Sequence, residues 1–309
     1  MTSIDVHDLT KEYGPRRAVD RITFRVPPGR VTGFLGPNGA GKSTTLRLLL
    51  GLDRPTSGTA TLAGRPYVSL ARPLRHVGAL LDAQAAHGSR TGRDHLLVLA
   101  ASNRIPVRRV DEVLEETGLT PAARRRVRTY SLGMRQRLGI AAALLGDPGV
   151  VLLDEPANGL DPEGIVWIRG LLRRLAAEGR TVLVSSHLMN ETASFADHLV
   201  VLGRGRVLAD TALRDFIHAR VHPGVRIRTT DPAALENALT RQGHDAVRHP
   251  DGHWTVRHAR VDDIGPLVSA AGVPLLELSA EEGTLEQAYL ALTAVDAEFA
   301  ARQHEEVRP

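Results

Sequence analysis

Gly36-Pro37-Asn38-Gly39-Ala40-Gly41-Lys42-Ser43-Thr44 fits the pattern G-x-x-x-x-G-K-[ST] at every fixed position. The apolar run Val31–Leu35 precedes it and predicts a buried strand, and Thr45–Leu50 follows it with residues that favour a helix. Phosphate-binding loops of nucleoside triphosphatases require this succession of strand, glycine-rich loop and helix. The context therefore favours such a loop over the alternative, a chance glycine-rich turn.

The residue types in this loop suit an anionic ligand. Glycine lets the backbone approach a ligand closely, and successive N–H groups together with the positive end of the following helix attract phosphate. We expect Lys42 to reach the β- and γ-phosphates, the Ser43 hydroxyl to bind Mg²⁺, and Thr44 to add a phosphate contact. The nucleotide-binding residues predicted by the motif are Gly36, Pro37, Asn38, Gly39, Ala40, Gly41, Lys42, Ser43 and Thr44.

A second strong signal is a pair of carboxylates after an apolar run. Val150–Leu153 is apolar at every position, as expected of a strand covered on both faces, and Asp154 and Glu155 follow it. Ligand sites of open α/β sheets lie at the carboxyl ends of the strands. Adjacent carboxylates also occur at solvated strand ends, but beside a phosphate-binding loop they indicate phosphoryl-transfer chemistry. We expect Asp154 to hold Mg²⁺ through water and Glu155 to polarise the attacking water.

Composition limits the class of protein. A chain of 309 residues suggests roughly two domains. Its net charge is only +4, and the pI of about 9.9 reflects the scarcity of cysteine, tyrosine and lysine, so we expect no nucleic-acid partner. The absence of cysteine excludes disulfides, thiol catalysis and cysteine-based zinc sites. No apolar run approaches the roughly 18 residues of a membrane helix, and the N-terminus has no signal pattern, so we expect a cytoplasmic protein.

The order of strand and helix patterns predicts an α/β core followed by a small α+β domain. The first domain, 1–215, alternates strands and helices and contains a helical subdomain at about 90–145. The second domain, 216–299, is predicted to have the βαββαβ order of a split βαβ fold, and we expect 300–309 to be a polar, flexible tail. The elements predicted in the second domain are Val225–Thr229, Pro232–Arg241, Asp245–His249, Trp254–Arg257, Val261–Ala271 and Pro274–Ser279, with a last helix at Thr284–Thr293.

The segment Tyr130–Gln136, with the sequence YSLGMRQ, lies between the two motifs and by itself predicts a serine N-cap at the start of a helix. With the motifs in this order, the chain resembles the nucleotide-binding subunits of ABC transporters, and the segment falls at their LSGGQ signature. Ser131 and Gly133 match that signature. Three other positions depart from it: Tyr130, Leu132 and Met134. The resemblance covers about residues 3–215 and implies an α/β P-loop ABC-type ATPase core.

Other positions match motifs of the family in the same order. Tyr13 falls at the aromatic residue that stacks on adenine, Asp161 lies in the D-loop, and His187 falls at the switch histidine, one residue past a predicted strand. The metal-contacting glutamine of the family falls at Asp82, with Gln84 two residues further on. An aspartate is one methylene shorter than glutamine, and the alternative interpretation of Asp82 is an ordinary loop residue.

The resemblance implies ATP and Mg²⁺ as cofactors and a head-to-tail homodimer. ATP would lie between the phosphate-binding loop of one subunit and Ser131 and Gly133 of the other. Glu155 and His187 would be the catalytic residues. The metal ligands would be Ser43, Asp154 and Asp82.

A single phosphate-binding loop without a membrane segment implies a separate integral membrane permease as partner, with this chain peripheral on the inner face of the cell membrane. The ending Leu285–Leu290 resembles the bacterial drug and peptide-antibiotic exporter subfamily, so the resemblance implies export of such a compound. One alternative is a soluble ABC-type ATPase that acts on the ribosome or nucleic acid. A second is a regulatory module that binds nucleotide without hydrolysing it.

Two further groups of residues have no assigned chemistry. The basic run Arg124–Arg128 fits a solvated surface, or else a contact with lipid headgroups or an acidic partner. Four histidines near the C-terminus have no metal-binding spacing, and we expect them at the surface. They are His244, His249, His253 and His258.

Overall fold

The structure, a computed structural model, describes residues 2–221 and 223–293. The chain divides into two compact units, Met1–Leu213 and Arg214–Pro309. The division lies close to the boundary after Asp215 that the sequence predicts. The predicted tail at 300–309 and the end of the predicted second domain at 294–299 lie outside the described residues.

Strands of the first unit form two sheets. They are β1 (Ile4–Tyr13), β2 (Arg16–Val26), β3 (Arg30–Leu35), β4 (Ser57–Leu62), β5 (Val77–Leu80), β6 (Val150–Asp154), β7 (Thr181–Ser186), β8 (His198–Gly203) and β9 (Arg206–Ala212). The larger sheet has the order β5-β6-β7-β3-β8-β9 and is parallel except for the β8–β9 pair. The smaller is antiparallel, in the order β2-β1-β4. The parallel order brings the carboxyl ends of β3, β6 and β7 to one edge.

Helices connect these strands and fill the insertion between β5 and β6. The helices up to residue 218 are α1 (Lys42–Leu49), α2 (Gly92–Ser102), α3 (Arg108–Glu116), α4 (Leu132–Leu144), α5 (Pro162–Ala177), α6 (Met189–Ala193) and α7 (Leu213–His218). Helices α2, α3 and α4 lie within the predicted helical subdomain. Helix α4 begins directly after Ser131, the predicted N-cap, whose side chain accepts a hydrogen bond from the Met134 N–H.

The apolar runs of the central strands are explained by burial on both faces of the parallel sheet. All six residues of β7 and the four apolar residues of β6 are buried. One continuous core joins this sheet to α1 and to the antiparallel sheet, and it includes Phe34, Leu46 and Ile22, each at most 1% exposed. The loops that follow β3, β6 and β7 therefore start from a rigid frame.

The second unit contains a four-stranded antiparallel sheet. Its elements are β10 (Gly224–Thr229), α8 (Pro232–Arg241), β11 (Ala246–Arg248), β12 (Trp254–Arg257), α9 (Val261–Ala270) and β13 (Leu275–Glu281), and residues 285–293 are helical. The strand order is β11-β12-β10-β13. A separate core contains residues of the sheet and of α8 and α9, among them Ile227, Leu235 and Ile264. The predicted βαββαβ order is confirmed.

Strand β9 was not predicted from the sequence. Its burial pattern shows no fully buried residue, so it lacks the clear alternation that marks a half-buried strand. Its antiparallel pairing with β8 fixes it as the edge of the larger sheet. Throughout 2–221 and 223–293, each helix is too short or too polar to span a lipid bilayer.

Candidate nucleotide-binding site

The loop between β3 and α1 lies in close contact with the preceding hairpin. Gly41 has φ 106°, and a Cβ on it would lie 2.7 Å from the Ala18 carbonyl oxygen, so only glycine fits there. Helix α1 begins at the next residue, with no side-chain cap and no acidic residue in its first turn. The positive end of the helix is therefore left to an external anion.

Lys42 is held inside the loop. Its side chain is buried, and its Nζ donates to the carbonyl oxygens of Gly36 at 2.6 Å and Pro37 at 3.3 Å. Burial lowers the pKa of the Lys42 ammonium, and the charges of Glu155 and Asp154 partly oppose that shift. The ammonium thus lies between the loop and the two carboxylates, where a polyphosphate would meet it.

Asp154, at the end of β6, connects the loop to the neighbouring strand. The Ser43 hydroxyl donates to Asp154 Oδ2 at 3.0 Å, and the Ser185 hydroxyl donates to Asp154 Oδ1. Ser185 lies opposite Asp154 in the parallel β6–β7 register. A hydroxyl and a carboxylate oxygen in contact are the hard oxygen donors that Mg²⁺ prefers, so these residues fit that metal.

The backbone of Glu155 is held in an unusual conformation by contacts on two sides. Its φ of 49° lies in the left-handed region, where residues other than glycine are uncommon. Its N–H donates to the Ser185 hydroxyl at 3.0 Å, and the buried Gln136 side chain donates to its carbonyl oxygen at 3.1 Å. Its carboxylate contacts His187 Nδ1 at 2.9 Å. The conformation points the carboxylate to the strand edge that carries the loop.

These elements enclose one open groove. Its lining residues are Tyr13, Arg16, Ala18, Pro37, Asn38, Gly39, Gly41, Lys42, Ser43, Thr44, Asp154 and Glu155. Tyr13 lies at the rim with 47% of its surface exposed. Its hydroxyl donates to Asp53, which also accepts hydrogen bonds from Arg47, and the Lys11 ammonium lies 4.9 Å from its ring centre.

Gly36 and Ala40 belong to the same loop, and His187 contacts Glu155, but four other predicted site residues lie outside this groove within the same chain. Ser131 caps α4, and Asp161 caps α5 by accepting from the Gly164 N–H at 2.8 Å. Gly133 packs against the loop after β6, since a Cβ there would lie 2.9 Å from the Gly159 carbonyl oxygen. Asp82 is exposed after β5 and accepts a hydrogen bond from the Gln84 N–H at 2.7 Å.

Three residues of the site were missed from the sequence. Ser185 was recoverable, because a hydroxyl at the end of the strand next to β6 would be expected to meet Asp154. Gln136 belongs to the signature segment but gave no signal that it reaches Glu155, 19 residues further along the chain. Arg16 lines the groove through the register of the β1–β2 hairpin, which the sequence did not fix.

Each unit of the chain matches a known protein family. Residues 19–158 match the family described as ABC transporter, and residues 223–286 match a domain of unknown function (DUF8746). The chain is 35% identical over 298 residues to the bacitracin transport ATP-binding protein BcrA of Bacillus licheniformis, covering 94% of this chain and 97% of that protein. It is 36% identical over 299 residues to the Nod factor export ATP-binding protein I of Burkholderia orbicola, covering 94% and 96%.

Solved structures agree with these relatives. The ATP-binding subunit of an ABC transporter superposes with a TM-score of 0.65 at 28% identity, over 71% of this chain and 93% of that one. A dimeric ATP-binding cassette in a post-hydrolysis state, bound to ADP and Pi, gives a TM-score of 0.63 at 25% identity, over 68% and 99%. The phosphate loop, the paired carboxylates and the full-length relatives lead to one conclusion: the chain belongs to the ABC transporter family and is one of its ATP-binding, ATP-hydrolysing proteins.

Proposed function

We propose that this ATPase powers a separate membrane permease that exports a drug, a peptide antibiotic or a similar compound. The observation that carries the proposal is the extent of the alignments, since proteins named for bacitracin transport and Nod factor export match 94% of the chain, through both units. The chain would then lie on the inner face of the cell membrane, held there by its permease.

The geometry of the groove supports distinct roles for its residues. Lys42 and the loop N–H groups would bind the phosphates, and Tyr13 would contact adenine. Ser43 and Asp154 would hold Mg²⁺, which neutralises charge on the phosphates when bound. Glu155 would orient or deprotonate the attacking water, with His187 contacting the γ-phosphate. Asp82 would be a further metal ligand by the family resemblance, although its carboxylate accepts a hydrogen bond from the Gln84 N–H.

A homodimer completes this site. Ser131, Gly133 and Asp161 lie outside the groove in their own chain, so they are available to the nucleotide of a second copy. The dimeric form of the related cassette supports that arrangement. The competing function is a soluble ATPase that acts on the ribosome or nucleic acid. It predicts different partners, so a pull-down distinguishes it from the transporter function.

The test is a pull-down from membranes solubilised in mild detergent, with tagged Glu155→Gln in ATP and Mg²⁺. This variant should bind ATP and lose turnover by about a hundredfold or more, because it lacks the base that activates water. Lys42→Ala is the matched variant that should not bind ATP. We expect a multi-helix membrane protein to co-purify with both.

Two outcomes would contradict the proposal. Recovery of ribosomes, DNA or soluble proteins alone would contradict the assignment of a permease partner, while the assignment as an ATPase would still hold. Turnover by Glu155→Gln close to that of the unaltered protein would remove Glu155 from its catalytic role, whatever the partner.

A further inference from the structure

A cavity lies in the second unit, on the sheet face opposite the packed helices. The core face carries Val225, Ile227 and Val256. The other face carries a row formed by three neighbouring strands, in which Glu281 pairs with Gly224 and Gly224 pairs with Arg257. The row thus has a carboxylate at one end, a guanidinium at the other and no side chain between them.

Gly224 forms the floor of this cavity. Neighbouring strands are about 4.8 Å apart, so the backbones of Glu281 and Arg257 are separated by about 10 Å. The cavity above the glycine has a volume of about 310 Å³. Gln287, in the helical segment at 285–293, also lines it. The size is that of a site for a small molecule.

The acidic wall is ordered by hydrogen bonds. The Thr255 hydroxyl donates to Glu281 Oε2 at 2.8 Å, and His249 Nε2 lies 3.1 Å from the same hydroxyl. Since the one hydroxyl proton is donated to Glu281, His249 must donate through a proton on Nε2. His249 and His253 are half-buried, and their rings stack with centres 4.1 Å apart. Glu281 also lines the cavity, so its carboxylate can accept further hydrogen bonds from a ligand.

Two guanidinium groups also line the cavity. Arg220 lies over the Phe216 ring, 4.2 Å from its centre, and donates to the Phe216 carbonyl oxygen. Arg257 is exposed, and its contact with Asp245 is 3.6 Å long with both side chains about 60% exposed, so that ion pair is weak. Both groups keep N–H donors for a ligand carboxylate.

We propose that this cavity binds a small zwitterion, a molecule that carries both an ammonium and a carboxylate group, such as a free α-amino acid. The ammonium donates to Glu281, and the carboxylate accepts from Arg257 at the other end of the row. The site is separate from the nucleotide groove and gives the second unit a ligand-sensing role.

The experiment uses the full-length protein and the common α-amino acids as probes. Thermal-shift screening selects ligands, and isothermal titration gives their Kd. Two matched derivatives of each ligand lack one charge: the methyl ester has no carboxylate, and the N-acetyl form has no ammonium. Each derivative should bind about tenfold or more weakly, because a charge-assisted hydrogen bond is lost.

Variants locate the binding within the cavity. Glu281→Gln and Arg257→Gln should each weaken amino-acid binding about tenfold. Glu277→Gln is the matched control, since it lies on the same face of β13 and does not line the cavity. Arg257 is exposed, so its variant is expected to fold even if Glu281→Gln does not. Absence of binding by every amino acid would overturn the proposal, as would equal binding of the charge-deficient derivatives or unchanged binding in both variants.

Discussion

Ser185 forms hydrogen bonds with both acidic residues of the site. Its hydroxyl donates to Asp154 and accepts from the backbone N–H of Glu155. A hydroxyl can do both at once because it has one proton and two lone pairs. One hydroxyl therefore helps to orient both the proposed metal-binding carboxylate and the backbone of the proposed catalytic residue.

Ser185→Ala tests this link. The variant should lower kcat for ATP hydrolysis about tenfold, since hydrogen bonds to charged groups contribute about 1.5 kcal/mol and Glu155 loses an anchor. The KM for ATP should change less, because the phosphate loop is untouched. Steady-state ATPase assays measure both, with Ser69→Ala as a remote serine control. An unchanged kcat would show that Asp154 and Glu155 are positioned without Ser185.

At the residue level, the sequence predicted chemistry better than conformation. Lys42, Ser43, Asp154 and Glu155 were predicted, and the structure brings them to one groove. The left-handed backbone of Glu155 could not be predicted, because it arises from contacts with distant residues such as Gln136 rather than from local preference.

At the level of elements, Asp20 shows how an edge strand that the sequence missed is attached. Asp20 lies on β2, and its side chain is only 8% exposed. It accepts from Arg206 on β9 and from Arg17 on its own strand, each at 2.8 Å. Burial opposes the charge, but hydrogen bonds from Arg206 and Arg17 outweigh it and lower the pKa of Asp20.

Asp20→Asn should destabilise the first unit in a pH-dependent way. A carboxyl whose pKa is lowered by folding stabilises the protein above its unfolded pKa of about 4, and that stability is lost as the pH falls through the folded value. We expect the variant to have a free energy of unfolding about 1–2 kcal/mol lower at neutral pH, and this difference should shrink towards pH 3. Thermal melts across this range measure it, and Asp111→Asn, in an exposed ion pair, is the control. A constant difference at every pH would contradict this assignment.

Elements with strong apolar patterns were predicted, and weakly patterned ones were not. The fully buried strands β6 and β7 follow from their composition. Strand β9 depends on its pairing with β8, which the apolar pattern of β9 itself does not reveal. The start of α4, in contrast, follows from the capping serine in the sequence.

At the level of the whole molecule, the two units have separate cores. Phe34 and Leu46 belong to one, and Ile227 and Ile264 to the other. The nucleotide groove is built from residues of the first unit alone. Ligand binding should therefore stabilise one unit selectively.

Calorimetry of the full chain should show two unfolding transitions. The Glu155→Gln variant is used so that ATP is not hydrolysed. Adding ATP and Mg²⁺ should raise the midpoint temperature of unfolding of the first unit only. At a hundred times Kd the gain is about 2.7 kcal/mol, which corresponds to several degrees. Lys42→Ala should show no shift. A single transition that moves as a whole would mean that the units unfold together.

Within their own chain, Ser131 and Asp161 cap helices and Gly133 packs against the loop after β6. Their use by a second copy follows from the family resemblance and not from any contact inside one chain. Under the proposed homodimer, that placement makes each chain half of two catalytic centres. ATP consumption then depends on the encounter of two copies, and a permease that holds both raises their effective concentration. Unassembled chains, diluted in the cell, would hydrolyse little ATP. Under this proposal, the division of each site between two chains restricts hydrolysis to the assembled transporter.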